Sequence, residues 1–184
     1  MNIYTNWFST LNCMEYFFWF KSALKFFAKQ RVTPLGGNTV FFKRKHIYSV
    51  GGWDIDNLTE DCDIGLRLSS KGLKFGVFYH HDHSTREETP DTVTSFAKQR
   101  TRWIQGFMQI LKKETWKDQE TLLQKVLALY VLTATSFNAF ILVYIYISIN
   151  ISFIMDFPVM VPILQYIPLM LLFVQIVILN WGGL

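Results

Sequence analysis

The sequence is 184 residues long, the usual length of one domain. Hydrophobic residues make up 51% of it and charged residues only 17%, which excludes a disordered chain and argues against a freely soluble globule. Residues 1–120 hold 17 of the 18 Lys and Arg and 13 of the 14 Asp and Glu. The composition therefore predicts two parts, a charged, aromatic part over 1–120 and an almost uncharged membrane hairpin over 121–184.

The first predicted element is a helix over residues 6–29, where apolar residues recur at three- and four-residue spacing. Glu15 and a basic row on this segment argue against a membrane-spanning helix. Two interpretations remain open: an aromatic-rich helix that lies at a membrane surface, or a helix that packs into the core. The apolar row is Trp7, Leu11, Met14 and Phe18, and the basic row is Lys21, Lys25 and Lys29.

A glycine loop and two short strands are predicted next. Gly36 and Gly37 indicate a loop over residues 34–38, because glycine tolerates backbone angles that other residues resist. The β-rich stretches 39–42 and 73–80 are predicted strands. These segments give the first part an α/β character.

An acidic cluster opens the helix that lies between the two predicted strands. Thr59 suits the N-cap, and Glu60, Asp61 and Asp63 occupy the first turn, where the helix dipole favours negative charge. Gly72 is a plausible end of this helix. The acids therefore have a structural explanation as well as a functional one.

Three histidines and one aspartate follow the second predicted strand, at His80, His81, Asp82 and His83. Such side chains are metal ligands in many proteins. Their dense spacing and the lack of a second cluster favour a polar loop at the end of a strand. No metal site is therefore predicted within this chain.

An amphipathic helix is predicted over residues 96–113, lying flat at the membrane interface. Arg100 falls inside its apolar stripe, where a guanidinium is costly unless it is paired. The pattern predicts an anionic partner for Arg100, either a carboxylate such as Asp61 or a phosphate on a ligand. Contact with lipid headgroups is the alternative. The stripe is made of Phe96, Trp103, Phe107, Ile110 and Leu111.

Two uncharged runs, 126–153 and 159–179, are each long enough to cross a bilayer, which takes about 20 residues. Helices are expected, because backbone polar groups in lipid can be satisfied only internally. A buried hairpin in a larger soluble core is the alternative. Basic residues crowd before the first run, which by the positive-inside rule predicts that residues 1–120 face the cytoplasm. The expected location of this multi-pass protein is the plasma membrane.

Two motifs ahead of membrane helices suggest a family. Thr59-Glu60-Asp61, followed about 40 residues later by Gln99-Arg100-Thr101-Arg102-Trp103, resembles the TED and Q(Q/R)xRW motifs of processive family 2 glycosyltransferases. These enzymes are the membrane-bound relatives of cellulose, hyaluronan and chitin synthases. The resemblance implies an α/β fold: the C-terminal part of a GT-A-type glycosyltransferase domain with interfacial helices, followed by two transmembrane helices.

The resemblance also implies residue roles. Asp61 would be the catalytic base that deprotonates the acceptor hydroxyl, with Thr59 and Glu60 holding its turn. The reaction would be an inverting transfer from a UDP-sugar to a growing polysaccharide or glycan acceptor, in which guanidinium groups neutralise the leaving diphosphate. The residues that would bind substrate are Gln99, Arg100, Arg102, Trp103, Gly37 and Asn38.

One departure from the family pattern limits this expectation. Family members carry an N-terminal nucleotide-binding sheet with DxD acids that hold uridine and a divalent metal, and no DxD precedes residue 54. Mg²⁺ or Mn²⁺ is expected for the complete enzyme, with ligands mostly outside this chain, so the chain is predicted to be an inactive C-terminal fragment. Its expected partners are a lipid bilayer, a nucleotide sugar, a glycan acceptor and a separate N-terminal half, and not nucleic acid.

Two other classes of protein are alternatives to the enzyme. A non-catalytic membrane protein or assembly partner that retains a glycosyltransferase remnant would also explain the missing donor site. A transporter or channel component fits less well, because neither uncharged run contains an ionisable residue.

Overall fold

The computed structural model describes residues 7–37, 39–83, 88–155 and 160–181, and the regular structure within these ranges is helical. A π-helical turn at Trp19–Ala23 joins the first two helices, and single 3-10 turns lie at His81–His83 and Thr115–Asp118. The α-helices are α1 (Trp7–Phe18), α2 (Leu24–Lys29), α3 (Arg44–Ser49), α4 (Glu60–Ser70), α5 (Val93–Lys112), α6 (Leu122–Met155) and α7 (Met160–Trp181).

The helix predicted over residues 6–29 forms as α1, the π turn and α2. The buried face of α1 consists of Ser9, Asn12 and Cys13, which are small or polar. The predicted apolar row lies outside instead, with exposed fractions from 46% at Phe18 to 73% at Trp7. The side of α1 that packs into the core is therefore the opposite one.

The core joins α6 to the first part of the chain. Ala128, Val131 and Leu132 of α6 are buried in the same cluster as residues of α2, α4 and α5. The first third of α6 thus shares its core with residues that precede 121. The other members of this cluster are Phe27, Val32, Cys62, Leu66 and Ile110.

Both predicted strands are absent from the part of the chain that the structure describes. Residues 40–42 and 73–80 run as irregular backbone without ladder bonds. A strand requires a neighbour to satisfy its backbone groups, and no described segment supplies one. Exposure still alternates along 73–80, from Phe75 to Phe78, as in a strand with one covered face. The α/β character is therefore not seen, and the described architecture is helical.

The predicted amphipathic helix begins three residues earlier than expected, at Val93. Thr92 and Ser95 form a reciprocal capping box that starts the helix there. The apolar stripe does not lie free, because Ile110 is buried and Phe107 and Leu111 pack against the core cluster.

One described helix, Leu122–Ser152 within α6, is long and apolar enough to cross a membrane. Its 31 residues extend about 46 Å. In α7 the described apolar stretch is shorter, Tyr166–Ile178, and includes Pro168. The described residues of both predicted runs are therefore helical, and the crossing of a membrane by α6 and α7 stays a prediction. The predicted turn between them falls largely outside the described residues.

Candidate active site

Thr59 precedes the first residue of α4, as predicted, and Glu60, Asp61 and Asp63 lie in the first turn. The Thr59 side chain does not cap the helix. Its Oγ1 donates to Asn57 Oδ1 at 3.2 Å, and its backbone N–H donates to the same oxygen at 2.8 Å. Thr59 is thus fixed by the residue two positions earlier rather than by the helix end.

The three acids of this turn have different surroundings. Asp63 is buried and forms an ion pair with Arg67, at 2.6 Å between Oδ2 and Nη2. Asp61 is partly buried, and Glu60 is exposed. The carboxylate of Asp63 is therefore occupied by its ion pair within α4. Asp61 is the partly buried acid of this turn and the better candidate for a reactive group.

The glycine loop runs along α4 in a fixed register. Thr33 N–H donates to Ser69 Oγ at 3.0 Å, and a Cβ on Gly65 would lie 2.3 Å from the Thr33 carbonyl oxygen. Further along, a Cβ on Gly37 would lie 3.2 Å from Asp61 Oδ2. Two residues of extended chain advance about 6.6 Å, and four residues of a helix advance about 6 Å. Each two-residue step along the loop therefore matches about one turn of α4. This register brings Gly37, which the family resemblance implied as a substrate-binding residue, against Asp61.

The Asp61 carboxyl group has a raised pKa. Burial is the largest cause, and the neighbouring Glu60 charge adds to it. Backbone hydrogen bonds from Cys62 and Gly37 oppose the shift, and the Cys62 N–H lies 2.7 Å from Asp61 Oδ1. A partly buried carboxylate with increased proton affinity is suited to general-base catalysis.

Helix α5 packs directly on the Thr59 turn. A Cβ on Gly106 would lie 2.4 Å from Thr59 Oγ1 and 2.8 Å from Thr59 N, so only glycine allows this approach. The two motifs recognised in the sequence are thus carried by elements that touch each other.

Two further side chains of α5 hold the residues before Thr59. Gln109 Oε1 accepts from Leu58 N–H at 2.9 Å, and Gln109 Nε2 donates to the Asp56 carbonyl at 3.2 Å. Lys113 forms an ion pair with Asp54. The segment from Asp54 to Thr59 is therefore bound along the last two turns of α5.

Arg100 is paired with a different acid from the one predicted. Its Nη1 and Nη2 donate to Oε1 and Oε2 of Glu15, at 2.8 Å and 2.5 Å. The guanidinium also lies between the rings of Phe96 and Trp103, at 4.6 Å and 4.3 Å from their centroids. The prediction that Arg100 requires an anion is confirmed by a carboxylate, although this carboxylate is Glu15 and not Asp61; a phosphate partner stays a prediction. The helix α1 carries Glu15 to this position.

Helical geometry explains why Arg100 faces α1. Relative to Gly106, Arg100 is rotated by about 120° around α5, whereas Gln99 and Arg102 deviate by only about 20° and 40°. Gln99 and Arg102 are therefore on the side that contacts Thr59. Gln99 Oε1 is buried and lacks a hydrogen-bond partner among the described residues, and Arg102 is exposed.

The remaining predicted site residues are Trp103 and Asn38. Trp103 is half-buried, with its ring edge-to-face against Tyr16 at 6.4 Å and with Arg100 over one face. Asn38 lies outside the described residues, next to Gly37.

No cluster of three His, Cys, Asp or Glu suited to a metal occurs in the described ranges. Within the acidic turn, Asp63 is taken up by Arg67. His80 and Asp82 form a local pair at 3.3 Å. The described residues do not fit a divalent cation, and no chemistry is assigned to one here.

Sequence reasoning missed Glu15, Gly106, Gln109 and Lys113 as parts of this site. Two signals were available. Glu15 is the sole acid in residues 1–53, in a segment whose other charged side chains are all basic, so it stands out as a carboxylate that could pair with a distant arginine. Gly106, Gln109 and Lys113 recur at three- and four-residue spacing, which places them on one side of α5.

Comparison with known proteins adds the family. A family model described as glycosyl transferase family group 2 matches residues 1–181. The poly-beta-1,6-N-acetyl-D-glucosamine synthase of Staphylococcus epidermidis is 29% identical over 116 residues, which cover 63% of this chain and 27% of that protein. The synthase of the same name from Staphylococcus aureus (strain COL) is 29% identical over 114 residues, 62% and 26% of the two chains.

A eukaryotic relative is also similar. The UDP-forming catalytic component of the cellulose synthase of Dictyostelium discoideum is 30% identical over 83 residues, which cover 45% of this chain and 8% of that protein. No solved structure matches. The chain spans about a quarter of the length of the bacterial relatives that it matches. The family model covers nearly every residue, including both motifs at the α4–α5 contact, and the chain belongs to glycosyl transferase family group 2.

Proposed function

We propose that this chain is the part of a membrane-bound glycosyltransferase that supplies the catalytic base and contacts the donor diphosphate. The reaction is the inverting transfer of a sugar from a nucleotide sugar to a growing polysaccharide or glycan. The observation that carries this proposal is the packing of the Thr59 turn, which leads into Asp61, on Gly106 of the helix with the second motif. Family membership and the names of the relatives support it.

Asp61 acts as the base. As the acceptor hydroxyl oxygen attacks the anomeric carbon, its proton passes to the Asp61 carboxylate. The bond between that carbon and the diphosphate oxygen breaks, and the diphosphate leaves with the electron pair. Because Asp61 is partly buried and has a raised pKa, it is a stronger base than a solvated aspartate.

The diphosphate would be held on the α5 side of the site. Gln99 is partly buried, and its amide Nε2 can donate to a phosphate oxygen, while Arg102 offers an exposed guanidinium on the same side. Arg100 is engaged by Glu15, so a diphosphate, which carries more negative charge, would compete with that carboxylate. Trp103 would stack on the acceptor sugar with the ring face that Arg100 leaves uncovered.

The names of the relatives and the charge pattern support a proposal for the substrate class and the location. UDP-N-acetylglucosamine is the first donor to test. The name of the staphylococcal relatives supplies the sugar, and the name of the Dictyostelium relative supplies the nucleotide, UDP. We place the protein in the plasma membrane as a multi-pass protein with residues 1–120 in the cytoplasm and α6 and α7 as the spans of 121–184. The exposed apolar row of α1 would lie in the lipid surface.

Some components of the reaction would come from outside the described residues. We expect the donor-binding acids and a divalent cation, Mg²⁺ or Mn²⁺, to be supplied by an N-terminal half that is fused or separate. On this proposal the chain has no turnover alone.

The test is Asp61→Asn in the complete protein, assayed in membrane vesicles with a panel of UDP-sugars. Loss of general-base catalysis should lower turnover by a factor of about 10² to 10⁴. The matched control is Asp56→Asn, an exposed acid of the same loop that contacts Gln109 through its backbone carbonyl. Near-normal transfer by Asp61→Asn would contradict the base assignment and favour a non-catalytic assembly protein.

A further inference from the structure

We propose that Gln109 is a positioning residue that sets the location of Asp61 through the segment before α4. This inference rests on the proposed function, because it assumes that Asp61 is the base. Gln109 lies 48 positions from Asp61 in the sequence and has no role in the reaction described above.

The Gln109 side chain bonds two backbone groups at once. Its Oε1 accepts from Leu58 N–H at 2.9 Å, and its Nε2 donates to the Asp56 carbonyl at 3.2 Å. An amide carries an acceptor and a donor on two neighbouring atoms at its tip, so it can bond a backbone N–H and a backbone carbonyl at the same time. A glutamate would retain only the acceptor, and a leucine would retain neither.

The segment bound by Gln109 leads directly into the base. Leu58 is followed by Thr59, whose backbone lies against Gly106 and whose N–H is bonded to Asn57. Helix α4 begins at the next residue, and Asp61 is its second residue. A shift of Leu58 is therefore passed to Asp61 through only two intervening residues, Thr59 and Glu60.

Among the side chains of α5 that bond this segment, Gln109 makes the two hydrogen bonds closest to α4. Lys113 binds Asp54 one turn further along α5, but both side chains are partly exposed, so the pair is screened by solvent. On the far side, Cys62 and Leu66 anchor α4 in the core. Gln109 thus fixes the approach to α4 while the core fixes its body.

The test compares Gln109→Leu, Gln109→Glu and Gln105→Leu in the complete protein, with UDP-N-acetylglucosamine and then the other UDP-sugars as donors. Displacing a catalytic group by about 1 Å can cost about 100-fold in rate. We therefore expect Gln109→Leu to lower kcat by about 100-fold while KM for the donor changes by less than about twofold. Gln109→Glu should recover part of this loss, because it still accepts from Leu58 N–H.

The controls separate positioning from general destabilisation. Gln105 is an exposed amide one turn earlier on α5, and Gln105→Leu should leave kcat unchanged. The acid limb of the kcat profile should also move in Gln109→Leu, since displacement changes the burial that raises the Asp61 pKa. A merely structural residue would lower the yield of folded protein without moving this limb.

The outcomes distinguish the two proposals. Normal kcat in Gln109→Leu beside an inactive Asp61→Asn would overturn the positioning role alone. Equal losses in Gln109→Leu and Gln109→Glu, with an unmoved acid limb, would also overturn it. Near-normal turnover in Asp61→Asn would contradict the proposed function whatever Gln109→Leu does.

Discussion

The two halves of α5 are held in different ways. The second half contains both buried residues of the helix, Gly106 and Ile110, and contacts the Thr59 turn through glycine packing and the Gln109 amide. The first half is half-buried or exposed, and α1 holds it through Arg100 and aromatic contacts. The C-terminal half of α5 is thus tightly packed, whereas its N-terminal half is held by side-chain contacts with α1.

This difference separates two tasks within the site. The packed end fixes Asp61, which we propose as the base, because Asp61 follows the turn that α5 binds. The other end carries the side chains that we assign to the diphosphate, Gln99, Arg100 and Arg102. A group that removes a proton has to be placed within hydrogen-bond reach, whereas groups that receive a charged ligand can exchange partners when it arrives.

We expect the strongest loss from a substitution that disrupts the packed end of α5. Gly106→Val would place a branched side chain where even a Cβ lies 2.4 Å from Thr59 Oγ1. Overpacking of this kind should lower the free energy of unfolding by about 3 kcal/mol and abolish transfer. Thermal unfolding and sugar transfer in membranes measure the two effects.

The matched control is Gly36→Ala, since a Cβ there meets only the Phe20 ring, at 3.7 Å. That variant should unfold at nearly the same temperature as the unchanged protein. If Gly106→Val were equally stable and active, the close contact between α5 and the Thr59 turn would be wrong.

A smaller effect is expected at the other end of α5. Glu15→Gln removes the ion pair with Arg100, whose side chain is 15% exposed against 52% for Glu15. Because the pair is partly solvated, its loss should cost about 1 kcal/mol of unfolding free energy. If the diphosphate competes with Glu15, KM for the nucleotide sugar should fall in this variant.

Steady-state kinetics and thermal unfolding check both expectations for Glu15→Gln. Glu114→Gln is the control, because Glu114 makes an exposed pair with Lys117 outside the site. A raised KM in Glu15→Gln would indicate that Glu15 orients Arg100 for the ligand rather than competing with it.

The smallest effect concerns stability against pH. Burial raises the pKa of Asp61 in the folded chain above its ordinary value of 3.8, so ionised Asp61 disfavours folding. The protonated carboxyl group of Asp61 stabilises the folded chain fully below pH 3.8. This stabilisation is lost as the pH rises through the raised pKa of the folded chain. Asp61→Asn should therefore be at least as stable as the unchanged protein at neutral pH.

Unfolding of Asp61→Asn across a pH series measures this difference. The difference between the two proteins should narrow as the pH falls towards 3.8. An Asp61→Asn variant that loses stability only at neutral pH would mean that the ionised carboxylate stabilises the fold.

Local features of the fold could be predicted from sequence. The acidic first turn of α4 and the apolar run of α6 depend on short-range patterns, and both formed. The predicted strands did not form within the described residues, because pairing depends on a neighbour that the local pattern does not supply.

Long-range partners decide the candidate site. The sequence marks Arg100 as a residue that requires an anion, yet its partner lies 85 positions away on α1. Gln109 looks like one more polar residue on the outer side of an amphipathic helix, although it binds backbone 51 and 53 positions earlier. Periodicity places a side chain on a helix face, but it does not say which distant segment covers that face.

Helix α5 holds the segment that leads to Asp61, and amide hydrogen exchange at Leu58 measures how firmly this segment is held. The Leu58 N–H is bonded to Gln109 Oε1, so its exchange should be slow in the unchanged protein and in Gln105→Leu. It should become fast in Gln109→Leu while Asp63 N–H, bonded to the Thr59 carbonyl within α4, stays protected. Equal exchange at Leu58 in all three proteins would mean that Gln109 does not hold this segment against α5.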